Sequence, residues 1–116
     1  MGVLVPFTNT NLEPGMVMIR PRGSTPHFHR LGNYGQGELS LDEVAELACR
    51  ADRPDAQALV LSCTDMSSVE VIERIESRLG KAVITSNQAM MFCVVRTQGL
   101  EHQDNCPGQL FDLLND

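Results

Sequence analysis

A chain of 116 residues can form one hydrophobic core and is too short for two lobes of ordinary size. Nine Lys and Arg against fifteen Asp and Glu leave a formal charge of −6, and the cations are scattered, which argues against a surface for nucleic acid or an anionic membrane. No apolar run approaches a membrane span, and the first residues, Met1-Gly2-Val3-Leu4-Val5-Pro6, lack the basic start and cleavage site of a signal peptide, so a cytoplasmic protein is expected.

Gly2-Val3-Leu4-Val5 reads as a short buried strand ended by Pro6, followed by a loop, Phe7-Thr8-Asn9-Thr10-Asn11, rich in hydrogen-bonding side chains. Met16 to Ile19 is a short apolar segment. Pro21, Gly23 and Pro26 enforce turns, and Thr25 to Leu31 alternates weakly, as either an edge strand or an extended connection does. His27-x-His29 has a spacing that can bind metal, but no third ligand is evident nearby and a solvent-facing edge explains it better; no metal is expected. Gly32 to Gly37 is glycine-rich and fits a hinge or the join left by an internal deletion. One α/β domain is therefore expected, with an amino-terminal strand and loop segment at 1–31, a glycine-rich joint at 32–39 and a β-α-β core with its tail at 40–116.

The pattern is regular from Ser40 onward. Ser40-x-x-Glu43 is a capping box, and Leu41, Val44, Leu47, Ala48 and Ala51 make an apolar helical face that ends before Pro54. Ala58-Leu59-Val60-Leu61 reads as a buried parallel strand. Ser67-x-x-Glu70 is a second capping box, opening a helix striped with Val69, Ile72, Ile75 and Leu79 and closed by Gly80. Ala82-Val83-Ile84 is the next strand. Thr85-Ser86-Asn87 caps a helix from about Gln88 to Arg96, in which Met90-Met91-Phe92 reads as core filling and Cys93 as a small hydrophobe, and Gly108 to Leu114 reads as a short terminal helix. Alternation of this kind specifies a parallel sheet flanked by helices with right-handed crossovers.

The chemistry concentrates at Ser62-Cys63-Thr64-Asp65, where the most apolar strand ends and a helix is expected to begin. The carboxyl rim of such a sheet is where ligands bind, and a helix amino end favours both a thiolate and a bound carboxylate. Cys63 is thus a candidate acid, base or nucleophile, although an inert buried thiol suits the same position. Thr64, Ser86 and Asn87 offer donors for a substrate carboxylate, and Asn9 offers one from the amino-terminal loop. Capping explains Ser67, Ser86 and Asn87 equally well. Asp65 is expected to turn toward backbone amides. Cys49, Cys93 and Cys106 form no C-x-x-C pair with Cys63 or with one another; Cys49 reads as a small hydrophobe and Cys106 as an exposed thiol.

Leu61-Ser62-Cys63-Thr64, Glu70-Val71-Ile72-Glu73-Arg74-Ile75-Glu76 and Leu79-Gly80-Lys81-Ala82-Val83-Ile84-Thr85-Ser86-Asn87-Gln88-Ala89 resemble the carboxyl half of maleate cis-trans isomerases. Those enzymes belong with arylmalonate decarboxylases in the aspartate/glutamate racemase superfamily. Gly108-Gln109-Leu110-Phe111-Asp112 resembles the tail of arylmalonate decarboxylases, and the stretch from Val5 to Pro14 resembles the family's first strand and P-x-x-N-T loop. The resemblance implies a single racemase-like lobe out of a two-lobed pattern, and isomerisation or decarboxylation of a small maleate-type dicarboxylate without any cofactor. It makes Cys63 the catalytic residue. The segment that carries the first lobe's cysteine and its neighbouring donors has no counterpart, as though Gly32 to Gly37 bridged a deletion, so a homodimer is expected to replace it. An inactive remnant, or an interaction module docking on a full-length relative, is the alternative reading.

Overall fold

In a computed structural model of the chain, residues 1–6, 9–32 and 39–115 are described; most of the glycine-rich joint expected at 32–39 lies outside them. The elements run β1 (Gly2–Val5), α1 (Leu12–Ile19), β2 (His27–Arg30), α2 (Leu41–Ala51), β3 (Ala58–Leu61), α3 (Ile72–Leu79), β4 (Ala82–Thr85) and α4 (Ser86–Gln98). All strand pairings are parallel, in the order β2-β1-β3-β4. The fold is the expected α/β class. The weakly alternating stretch after Pro26 is an edge strand, and the apolar stretch from Met16 to Ile19 is the second half of α1.

Strand register decides the core. It aligns Leu59 with Val83 and Leu4 with Leu61, and these four pack against Val44, Ala45, Ala48 and Ala51 of α2 and Ile72 and Ile75 of α3. The Ser40 box forms as expected: Glu43 N–H donates to Ser40 Oγ at 3.2 Å and Ser40 N–H donates back to the Glu43 carboxylate at 2.7 Å. Gly80 ends α3 in the left-handed region at φ 66°, where a glycine costs least.

The second sheet face is less well covered. The connection from β1 to β2 runs one way across the sheet and those from β2 to β3 and β3 to β4 run the other, so right-handed crossovers put α1 opposite α2 and α3. No residue of α1 is buried, and Met18 and Ile19 are 83 % and 81 % exposed. Phe28, Val60 and Ile84, which share that face with Val3, are only half-buried. Met90 and Met91 do not fill the core as expected, and Cys93, read as a small hydrophobe, is exposed with them, because α4 lies at the β4 edge and buries only Gln88 and Val95. The expected terminal helix is a single 3-10 turn, Phe111–Leu114. Phe111 anchors it, edge-on to the Phe92 ring at 5.8 Å.

Candidate functional site

In a parallel sheet every strand ends at the same rim, so the segments after β1, β3 and β4 share one side of the molecule. β1 and β3 are neighbours whose onward connections leave in opposite directions. That is the topological switch point of the sheet, the place where open α/β sheets generally bind their ligands. Asn9 follows β1, Cys63 and Thr64 follow β3, and Ser86 and Asn87 open α4 directly after β4. The five candidate residues therefore occupy three consecutive strand ends.

Ser62 N–H donates to Leu4 O at 3.1 Å, the last link between β1 and β3. Cys63 comes next, half-buried and packed against the core. Thr64 and Asp65 form an exposed turn, and Met66, at 2 % exposure, anchors the loop inward. The second capping box expected from Ser67 and Glu70 does not form. Ser68, 1 % exposed, takes the cap position of a 3-10 turn, Val69–Val71. The position three residues on is then Val71, which cannot donate or accept through its side chain, so no box is possible. The β-branched Val69 and Val71 also start an α-helix poorly, and α3 begins only at Ile72. Cys63 is consequently separated from the α-helix by a loop and a 3-10 turn. Ser68 Oγ is buried without a hydrogen-bond partner among the described residues. No backbone amide among them donates to the Asp65 carboxylate either.

The cap of α4 is Thr85. Gln88 N–H donates to Thr85 Oγ1 at 3.2 Å and Thr85 N–H donates to Gln88 Oε1 at 3.4 Å, so Ser86 and Asn87 lie within the first turn and are not caps. Asn87 Nδ2 instead donates to Thr64 O at 3.2 Å, joining the β4 end to the Cys63 loop. A hollow of about 170 Å³ lies between them, lined by Thr64, Ser67, Ser68, Glu70 and Asn87 among others.

Asn9 Oδ1 accepts from the N–H groups of Asn11 and Leu12, both at 3.0 Å, so Asn9, two residues before the N-cap Asn11, braces the start of α1. Arg30, which the sequence did not single out, secures this corner. Its guanidinium donates to Pro6 O at 2.9 Å and Asn9 O at 2.7 Å and pairs with Glu13. A cation at the end of an edge strand carries no sequence signal of that role. His27 Nε2 meets Ala51 O at 3.3 Å while His29 is exposed, and no group of three metal-ligating side chains occurs among the described residues. None of their helices is long and apolar enough to cross a membrane.

The sequence pattern that defines the arylmalonate decarboxylase family matches residues 36–111. A crystal structure of arylmalonate decarboxylase superposes with a TM-score of 0.76 at 22 % identity, over 96 % of this chain and 49 % of that one. The unliganded form of such an enzyme superposes with a TM-score of 0.81 at 23 % identity, over 97 % of this chain and 52 % of that one. The chain thus spans about half the length of the solved structures it matches. No curated protein sequence matches it.

Proposed function

Because this chain belongs to the arylmalonate decarboxylase family, we propose that it acts without a cofactor on a small dicarboxylate of the maleate or arylmalonate type, through the Cys63 thiol. The observation that supports this reading best is the position of Cys63 at the β1/β3 switch point, with the Asn9 corner on one side and the first turn of α4 on the other. For an arylmalonate, the C–C bond to one carboxylate breaks, CO2 leaves and its electron pair remains as an enediolate. The Cys63 S–H proton then passes to the α-carbon, and the thiolate recovers a proton from water. For maleate, the thiolate adds to the double bond, the new single bond rotates and the thiolate departs. The Thr64 and Ser86 hydroxyls and Asn9 Nδ2 serve as donors to the substrate carboxylate.

A second copy of the chain closes the open side of the site in this reading. The exposed apolar residues of α1 and α4, among them Met18, Ile19, Met90 and Met91, supply the kind of surface that association buries. One observation favours binding without turnover: no α-helix amino end directly follows Cys63, so its surroundings offer less electrostatic help to a developing charge. Alkylation of Cys63 by iodoacetamide, mapped by mass spectrometry with and without malonate, tests the site. Malonate is expected to slow Cys63 and leave Cys93 unchanged. Equal rates with and without malonate contradict the proposal.

A further inference from the structure

We infer that Asn87 is a positioning residue, holding the loop that carries Cys63, and not the ligand donor that its residue type suggests. The inference deepens the proposed function and takes from it the importance of Cys63. Thr85 and Gln88 perform the capping of α4 between them, which leaves Asn87 without a local duty in the helix. Its amide crosses to a loop 23 residues earlier in the chain and donates to Thr64 O.

That loop has few other restraints. It leaves the sheet after the bond from Ser62 N–H to Leu4 O and rejoins regular structure where Val71 N–H donates to Ser68 O. Between them, the bond from Asn87 is the one side-chain hydrogen bond to residues 62–68 among the described residues. Met66 fixes the depth of the loop by burial, but apolar packing is not directional. A hydrogen bond is directional, so Asn87 sets the orientation of the Thr64 peptide and with it the aspect that the adjacent Cys63 presents at the rim of the sheet. The donor stands on firm ground, since α4 starts from Thr85, which is wholly buried at the end of β4.

The test compares the wild-type chain with Asn87→Ala and with Asn87→Leu, which keeps the bulk of the side chain, removes the N–H donors and adds no charge beside Cys63. Two quantities are read: amide hydrogen exchange across residues 63–68, and the pH–rate profile of Cys63 alkylation by iodoacetamide, with Cys93 in the same molecules as reference. Loss of one neutral hydrogen bond is expected to accelerate exchange in the loop about threefold to tenfold. The Cys63 profile is expected to shift in both variants while that of Cys93 stays in place. Unchanged loop exchange and a superimposable Cys63 profile overturn the inference. So does equal acceleration at the core amides of β1 and β3, which marks a general loss of stability. If malonate protects Cys63 in none of the three proteins, the proposed function fails, whereas the loop exchange and the Cys63 profile still decide the role of Asn87.

Discussion

The Glu76 carboxylate accepts the backbone N–H of Val83 at 2.9 Å. The bond runs from the outer edge of the sheet, β4, to the buried side of α3, and the same carboxylate accepts Gln109 N–H at 3.2 Å. One side chain thus covers a strand-edge donor and clips the tail. Glu76→Ala leaves the Val83 donor without its partner and is expected to reduce stability by about 1–3 kcal/mol. Urea unfolding measures it, and a change within error would show that water replaces the carboxylate freely.

Two glycines at positive φ separate backbone strain from crowding. Gly80, at φ 66°, has nothing within 4 Å of where a Cβ would stand, whereas at Gly108, at φ 81°, that atom would collide with Ile72 Cγ2. Gly80→Ala is expected to cost about 1–2 kcal/mol from strain alone. Gly108→Ala adds a clash with a fully buried side chain and should cost about 1–3 kcal/mol more. Thermal melts of the two variants check the order, and equal losses would mean that the tail simply moves away from α3.

Burial pushes the Cys49 thiol above its ordinary value, with the carboxylates of Glu46 and Asp52 adding to the effect and Arg78 opposing it. A raised value leaves less thiolate at any given pH, and only the thiolate is alkylated. Cys49 is expected to react more slowly than the exposed Cys93 between pH 7 and about 8.5, the ordinary thiol range. Mass mapping after timed iodoacetamide treatment reads the order, and faster labelling of Cys49 would contradict it.

The hydrogen bonds from the Ser40 backbone and hydroxyl hold the Glu43 carboxyl below its ordinary value. A lowered folded-state value means that the ionised form is favoured in the folded chain. This contribution is present above the ordinary glutamate value and is lost as the pH falls through the lowered one. An NMR titration of Glu43 is expected to show a lower midpoint in the wild type than in Ser40→Ala. The backbone N–H of residue 40 still donates in that variant, so coinciding midpoints would mean that the Ser40 hydroxyl contributes nothing to the Glu43 carboxyl in solution.

Elements whose signals are local were legible in the sequence. The Ser40 box, the apolar face of α2 from Val44 to Ala51, the β3 strand and the Gly80 stop rest on neighbours within a turn or a strand, and each is present. The Ser67 box was not, because Ser68 competes for the same cap and the burial that decides between them is tertiary. The exposure of Met90 and Met91 was hidden for a similar reason, since hydropathy does not reveal that α4 sits at a sheet edge. At the candidate site, the clustering of Cys63 and Thr64 with Ser86 and Asn87 at one rim follows from strand and helix alternation. The bond from Asn87 to Thr64, the bonds of Asn9 to the start of α1 and the hold of Arg30 on its loop depend on register and rotamer, which a single sequence does not encode in any local pattern.

Turnover followed by proton NMR in D2O tests the central claim most directly. With phenylmalonate, the wild-type chain is expected to yield phenylacetate carrying one solvent-derived deuterium at the α-carbon, or with maleate to yield fumarate, and Cys63→Ala is expected to yield neither above the uncatalysed rate. A wild-type protein that converts neither acid, or a Cys63→Ala variant that converts either as fast as the wild type, contradicts the assignment of Cys63 as the reacting group.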